Sequence, residues 1–200
     1  MTSRHRKAGI MLTGQIHHRN SMPKFIAFLR AINVGGHVVK MDQLRQFFEA
    51  LGFANVETFI ASGNVIFDAK SKDTNALQRR IEKHLHQVLG YEVATLVRTL
   101  EELERIAKHR PFSEIELNRP GNTLYVGFIA DSLAKAVSQK VESLATDVDD
   151  LKVTGREVYW LLHTSFSDSK ISGPILERTL GTKVTFRNIN TVRRILKKYS

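Results

Sequence analysis

The chain has 200 residues, 25% charged and 42% apolar, with a formal net charge of +10 and no cysteine. A chain of this length buries roughly 70% of its unfolded surface, so it needs no disulfide or metal to fold. The missing thiols exclude disulfides, iron–sulfur clusters, thiol catalysis and cysteine-bound zinc, and no apolar run approaches the ~18 residues of a membrane span.

Residues 1–22 carry Arg4, Arg6, Lys7 and Arg19, no acid and no sustained period. The expectation is a disordered basic extension, with the folded chain starting near Met22-Pro23. Ile10-Met11-Leu12 is too short for the core of a signal peptide. The rest of the chain holds 26 basic and 20 acidic residues, a moderate excess that attracts polyanions without selecting one.

Phe25–Arg30 reads as a strand buried on both faces. After Gly35-Gly36, the residues Met41, Leu44, Phe47, Phe48 and Leu51 recur at helical spacing, with Asp42 in the first turn and Gly52 as the stop. Val56–Ile60 and Val65–Phe67 flank Ser62-Gly63-Asn64 as a hairpin. A helix opens at Asp73 or Thr74 and stops at Gly90, and Val93–Val97 is a fourth strand. Thr99 and Glu102 form a capping box for a third helix, followed by an irregular stretch from His109 to Gly121.

The order then repeats. Thr123–Ile129 is a strand, Ser132 caps a helix, and Leu151–Val153 and Glu157–Leu162 flank Thr154-Gly155 as a hairpin. Gly173-Pro174 starts a short helix that ends at Gly181. Lys183–Phe186 is a last strand, and Asn188 or Asn190 caps a terminal helix. The predicted fold is α+β: two tandem ferredoxin-like (β-α-β-β-α-β) subdomains with an added C-terminal helix. The subdomains span 23–98 and 122–200, with a connecting helix and linker over 99–121. The halves share an order of elements but no visible residue-level repeat.

In such a sheet the end of strand 1 lies beside the hairpin between strands 2 and 3. Arg30, Asn33, Gly35 and Gly36 should therefore adjoin Ser62, Gly63 and Asn64. In the second half Ser169-Lys170 and Arg187, Asn188 and Asn190 share one edge. These guanidinium, amide, hydroxyl and glycine-backbone donors suit phosphate or carboxylate. The plainer alternative is turn chemistry for the glycines, a strand-end ion pair for Arg30 and a helix cap for one asparagine. Neither the GxxxxGK[ST] nor the GxGxxG spacing is present. The histidines form no metal motif, and no cofactor is implied. Trp160 and Tyr159 read as core.

Leu29-Arg-Ala-Ile-Asn33-Val-Gly35-Gly36, Ser62-Gly-Asn64-Val65, Ser169-Lys170 and Thr185-Phe-Arg-Asn-Ile-Asn-Thr-Val192 together resemble the bacterial family of domain of unknown function 1697. The resemblance runs from about Pro23 to the C-terminus. It implies a two-part α+β fold and no particular activity. Its pattern carries glycine at position 31 and tryptophan at position 189, where this chain has Ala31 and Ile189, and a more polar run at His37-Val38-Val39.

The leading functional expectation is a cytoplasmic binding protein for an anionic or phosphate-bearing ligand, a nucleotide or RNA. One alternative is an enzyme acting on a small anionic metabolite, with Ser169, Lys170 and Arg187 nearest the chemistry. The other is a dimeric interaction module, so that the chain is a monomer or a homodimer.

Overall fold

The structure is a computed structural model that describes residues 22–33, 36–60 and 63–199. The expected disordered extension falls almost wholly outside this range, and the candidate residues Gly35 and Ser62 fall outside it too.

The first half runs β1 (Lys24–Leu29), α1 (Met41–Ala50), β2 (Ala54–Thr58), β3 (Asn64–Asp68), α2 (Thr74–Leu89), β4 (Thr95–Thr99) and α3 (Leu100–Lys108). A short helix α4 (Glu114–Asn118) precedes the second half, which runs β5 (Thr123–Phe128), α5 (Lys135–Glu142), β6 (Asp149–Thr154), β7 (Glu157–Leu162), α6 (Gly173–Leu180), β8 (Thr185–Asn188) and α7 (Ile189–Tyr199). The result is a mixed α+β protein with two four-stranded antiparallel sheets, ordered β2-β3-β1-β4 and β6-β7-β5-β8.

Local chemistry fixes many boundaries. Asp73 caps α2 by accepting from Ala76 N, and Gly90 closes it in the left-handed conformation (φ 80°), which glycine adopts without steric penalty. Thr99 and Glu102 form the expected capping box of α3. A second box, Ser113 with Glu116, starts α4 inside the stretch expected to be irregular. The α5 helix begins later than expected, after Ala134, so Ser132 is not its N-cap. β4 and β8 each extend two residues further than the sequence suggests, which brings Arg98 and Arg187 inside them.

Period-two alternation divides each sheet between two cores. Phe25, Ala27 and Leu29 face α1 and α2, among Leu44, Phe48, Leu77 and Ile81. Val158, Trp160 and Leu162 face α5 and α6 in the same way. The other faces, Ile26 and Phe28 of β1 with Val126 and Phe128 of β5, meet each other in a third core that also takes apolar residues of α3 and α7. β1 is thus buried on both faces, and its apolar run needs no other cause. At the centre the rings of Phe28 and Phe128 stack at 4.0 Å and 7°, a contact that contributes about 1 kcal/mol beyond its buried area.

The halves correspond residue by residue where they meet. Phe28 is registered with Asn64 and Leu96, and Phe128 with Glu157 and Thr185. Arg98 lies opposite Ile26, as Arg187 lies opposite Val126. α3 follows β4 directly, as α7 follows β8, and these two helices pack on each other.

Candidate functional site

Arg98 and Arg187 are the first groups to account for, because each crosses from its own sheet into the other half. Arg98 is fully buried. It donates from Nη2 to Ile129 O (2.8 Å) and Arg156 O (2.9 Å), from Nη1 to Val97 O (3.0 Å) and from Nε to Glu157 Oε1 (2.9 Å). Arg187 repeats this pattern in reverse. Its Nη2 donates to Leu29 O (2.9 Å) and Gly63 O (3.3 Å), its Nη1 to Phe186 O (2.8 Å), and its Nε to Asn64 Oδ1 (2.6 Å). Each guanidinium also sits over the other half's central phenylalanine, Arg98 over Phe128 and Arg187 over Phe28.

Burial lowers the pKa of Arg98, while the charge of Glu157 raises it. Burial alone brings Arg187 down to about 10, so it remains a cation at neutral pH. Such groups are stable only with their donors satisfied, and backbone carbonyls of the opposite half meet that need. The two arginines therefore act as reciprocal clamps between the halves.

This accounts for several candidate residues. The expected adjacency holds for the end of β1, where Leu29 N donates to Gly63 O at 2.8 Å, while the side chains of Arg30 and Asn33 bond elsewhere. A side chain on Gly63 would press on Leu29 and Ile32, and its φ of 72° favours glycine. Asn64 is fully buried and donates to Phe59 O (3.0 Å) while accepting from Arg187. Asn33 Oδ1 accepts from Val39 N (2.7 Å), bracing the loop that contains Gly36. In the second half the cluster divides. Ser169 donates to Asp149 Oδ1 (2.7 Å), which also accepts from buried Trp160 Nε1 (2.9 Å). Lys170 is exposed. Asn188 Oδ1 accepts from Asn190 N at the start of α7, and Asn190 Oδ1 accepts from Arg193. Ser169 and Arg187 thus serve different partners in different parts of the molecule.

Arg30 behaves differently. It follows β1 at the seam between the halves, where its Nε meets Glu177 Oε1 at 2.8 Å and its Nη2 meets Oε2 at 3.1 Å. Lys183 reaches the same carboxylate at 3.7 Å. A cleft of about 490 Å³ opens here, lined by Arg30 and Lys183 and by Glu82, His86 and Glu92. Glu82 accepts from Thr95 N (2.8 Å). Burial, with Glu92 adding to it, raises the Glu82 carboxyl above the ordinary range, against a smaller opposing effect of the Thr95 bond. The sequence reading missed Glu82, Glu92, Glu177 and Lys183, which lie on α2, α6 and the turns before β4 and β8. Only the packing of the halves gathers them. Ala31, on the cleft wall, holds a left-handed φ of 55°.

Among the described residues no group of histidines and carboxylates could hold a metal ion, and no helix is long and apolar enough to cross a membrane.

Fold and site together define a two-sheet α+β protein with a charged cleft at the seam of its halves. The chain belongs to the family described as "Protein of unknown function (DUF1697)", which matches residues 22–159. The later motifs, Ser169-Lys170 and Thr185–Val192, lie beyond the matched residues. No curated protein matches the chain. Among solved structures it is similar to the conserved bacterial protein SP0830 from Streptococcus pneumoniae, at 22% identity and a TM-score of 0.68, over 89% of this chain and 98% of that one. At that identity the likeness establishes the fold alone.

Proposed function

We propose that this protein binds a small anionic ligand, bearing a phosphate or carboxylate, in the cleft on Arg30 and Lys183. The observation that carries the reading is the convergence of two cations, one from each half, on the single carboxylate of Glu177. That triad holds one uncompensated positive charge. Among the described residues Arg30 Nη1 has no hydrogen-bond partner, so it is available to a ligand oxygen. Glu82 and Glu92, which line the same cleft, would repel a long polyphosphate backbone, which favours a small ligand over RNA. We also read each half as a ferredoxin-like unit, on its β-α-β-β-α-β order and its 4-1-3-2 sheet.

Titration calorimetry with inorganic phosphate, AMP and citrate tests the site. At least one should bind, and Arg30→Ala and Lys183→Ala should each abolish that binding. Arg30 is a third exposed, so its ion pair contributes only about 1 kcal/mol to stability. Binding by Arg30→Ala at wild-type affinity would refute the site.

A further inference from the structure

We infer that the ligand of this cleft is a zwitterion, whose ammonium group sits on Glu82 and Glu92 while its anionic group sits on Arg30 and Lys183. The inference rests on the anion site just proposed and adds the second half of the ligand.

It starts from the correspondence between the halves. Glu82 on α2 accepts from Thr95 N, and Glu177 on α6 accepts from Val184 N (3.1 Å). In each case the N–H belongs to the chain opposite the C-terminal end of the central strand, β1 or β5. The two glutamates therefore do the same structural work. Glu177 has a second task, holding Arg30 and Lys183. The position answering to Arg30 in the second half is Ala130, which follows Ile129 as Arg30 follows Leu29. Glu82 correspondingly has no arginine, and among the described residues no lysine, arginine or histidine pairs with it.

Glu82 shares the cleft with a second carboxylate, Glu92, with His86 one turn along α2, and with Arg30 and Lys183. Half-buried Glu82 loses hydration, and the exposed carboxylate of Glu92 repels it, which the raised pKa of Glu82 reflects. An ammonium donor relieves both effects by charge-assisted hydrogen bonds. A cleft lined by cations paired to one carboxylate and by two further carboxylates orients a dipolar molecule and disfavours a simple anion, which would leave Glu82 and Glu92 uncompensated.

Calorimetry with 2-aminoethyl phosphate and ethyl phosphate, which differ by the ammonium group, tests the inference. The wild-type protein should bind the amine at least about tenfold more tightly, a difference of about 1.4 kcal/mol. Glu82→Gln, which keeps an acceptor for Thr95 N, should bring the two ligands within about twofold, by weakening 2-aminoethyl phosphate while ethyl phosphate binds no less tightly than before. Arg30→Ala should lose both. Equal affinities for the two ligands in the wild type would overturn the ammonium site and leave the anion site standing. Binding of neither would overturn both.

Discussion

Replacing Arg98 with methionine keeps most of the side-chain volume and removes the guanidinium. Glu157, whose side chain is 15% exposed, then loses its ion-pair partner, and the carbonyls of Ile129 and Arg156 lose a donor. Breaking a buried pair from one side costs about 3–5 kcal/mol, and stranded carbonyls cost about 1–3 kcal/mol each. These effects overlap, so the expected loss is about 4–5 kcal/mol, or a fall of roughly 10–20 °C in melting temperature for a chain of this size. Among the described residues Arg187→Met strands neutral acceptors, chiefly Asn64 Oδ1 and Leu29 O, and should cost about 2–3 kcal/mol. Thermal and urea unfolding, followed by circular dichroism, ranks the two. In the Arg98→Met background, Glu157→Gln should recover part of the loss, because it neutralises the stranded charge. If Arg187→Met proved as costly as Arg98→Met, or if Glu157→Gln recovered nothing, the account of the clamps would be refuted.

Glu82 gives a pH-dependent test. Its folded-state pKa lies above the ordinary value of 4.5, so the folded chain binds more protons than the unfolded one in the window just above 4.5. Stability should therefore fall as pH rises through that window. Glu82→Gln should remove this slope and raise the melting temperature at pH 7 more than at pH 4. Ala31→Gly relieves a left-handed φ of 55° and, after the entropy that glycine adds to the unfolded chain, should stabilise by about 0.5–1 kcal/mol in urea titrations. Gly127→Ala would place a methyl 2.5 Å from Phe186 Cε1 and 2.8 Å from Val184 Cγ2, so a loss of about 1–3 kcal/mol is expected by calorimetry. Thr99→Ala removes the cap of α3 and should cost about 1 kcal/mol by the same measurement.

Local signals in the sequence were good guides to local structure. Asp73 and Gly90 bound α2, Thr99 and Glu102 open α3, and Gly181 closes α6, because those signals act within a single turn of chain. The α4 helix had the same kind of signal in Ser113-x-x-Glu116, within a segment whose prolines and glycine suggested a loop. The ends of β4 and β8 were harder to place, since an arginine after an apolar run looks like the point where a strand leaves the core. Arg98 and Arg187 instead stay in it, held by carbonyls of the opposite half that no local pattern shows. The predicted closeness of β1's end to Gly63 and Asn64 followed from sheet order and was correct. Sheet order could not say that Asn64 serves Arg187, or that Arg30 answers to Glu177 across 147 residues. The cleft was illegible for the same reason: its walls come from α2, α6 and two turns that only the packing of the halves brings together.

The paired arginine clamps have a further consequence. Two identical subunits meeting around a rotation axis would form the same arrangement, each lending its partner one arginine, one phenylalanine and one helix. In such a homodimer every substitution appears twice, so a recess on the rotation axis must carry the same residues on both sides. Within a single chain the copies are free to diverge. Glu157 has become the uncharged counterpart Asn64 on one side, and Arg30 answers to Ala130 on the other. Different residues on the two sides of the axis are therefore open to this protein and closed to a symmetric pair.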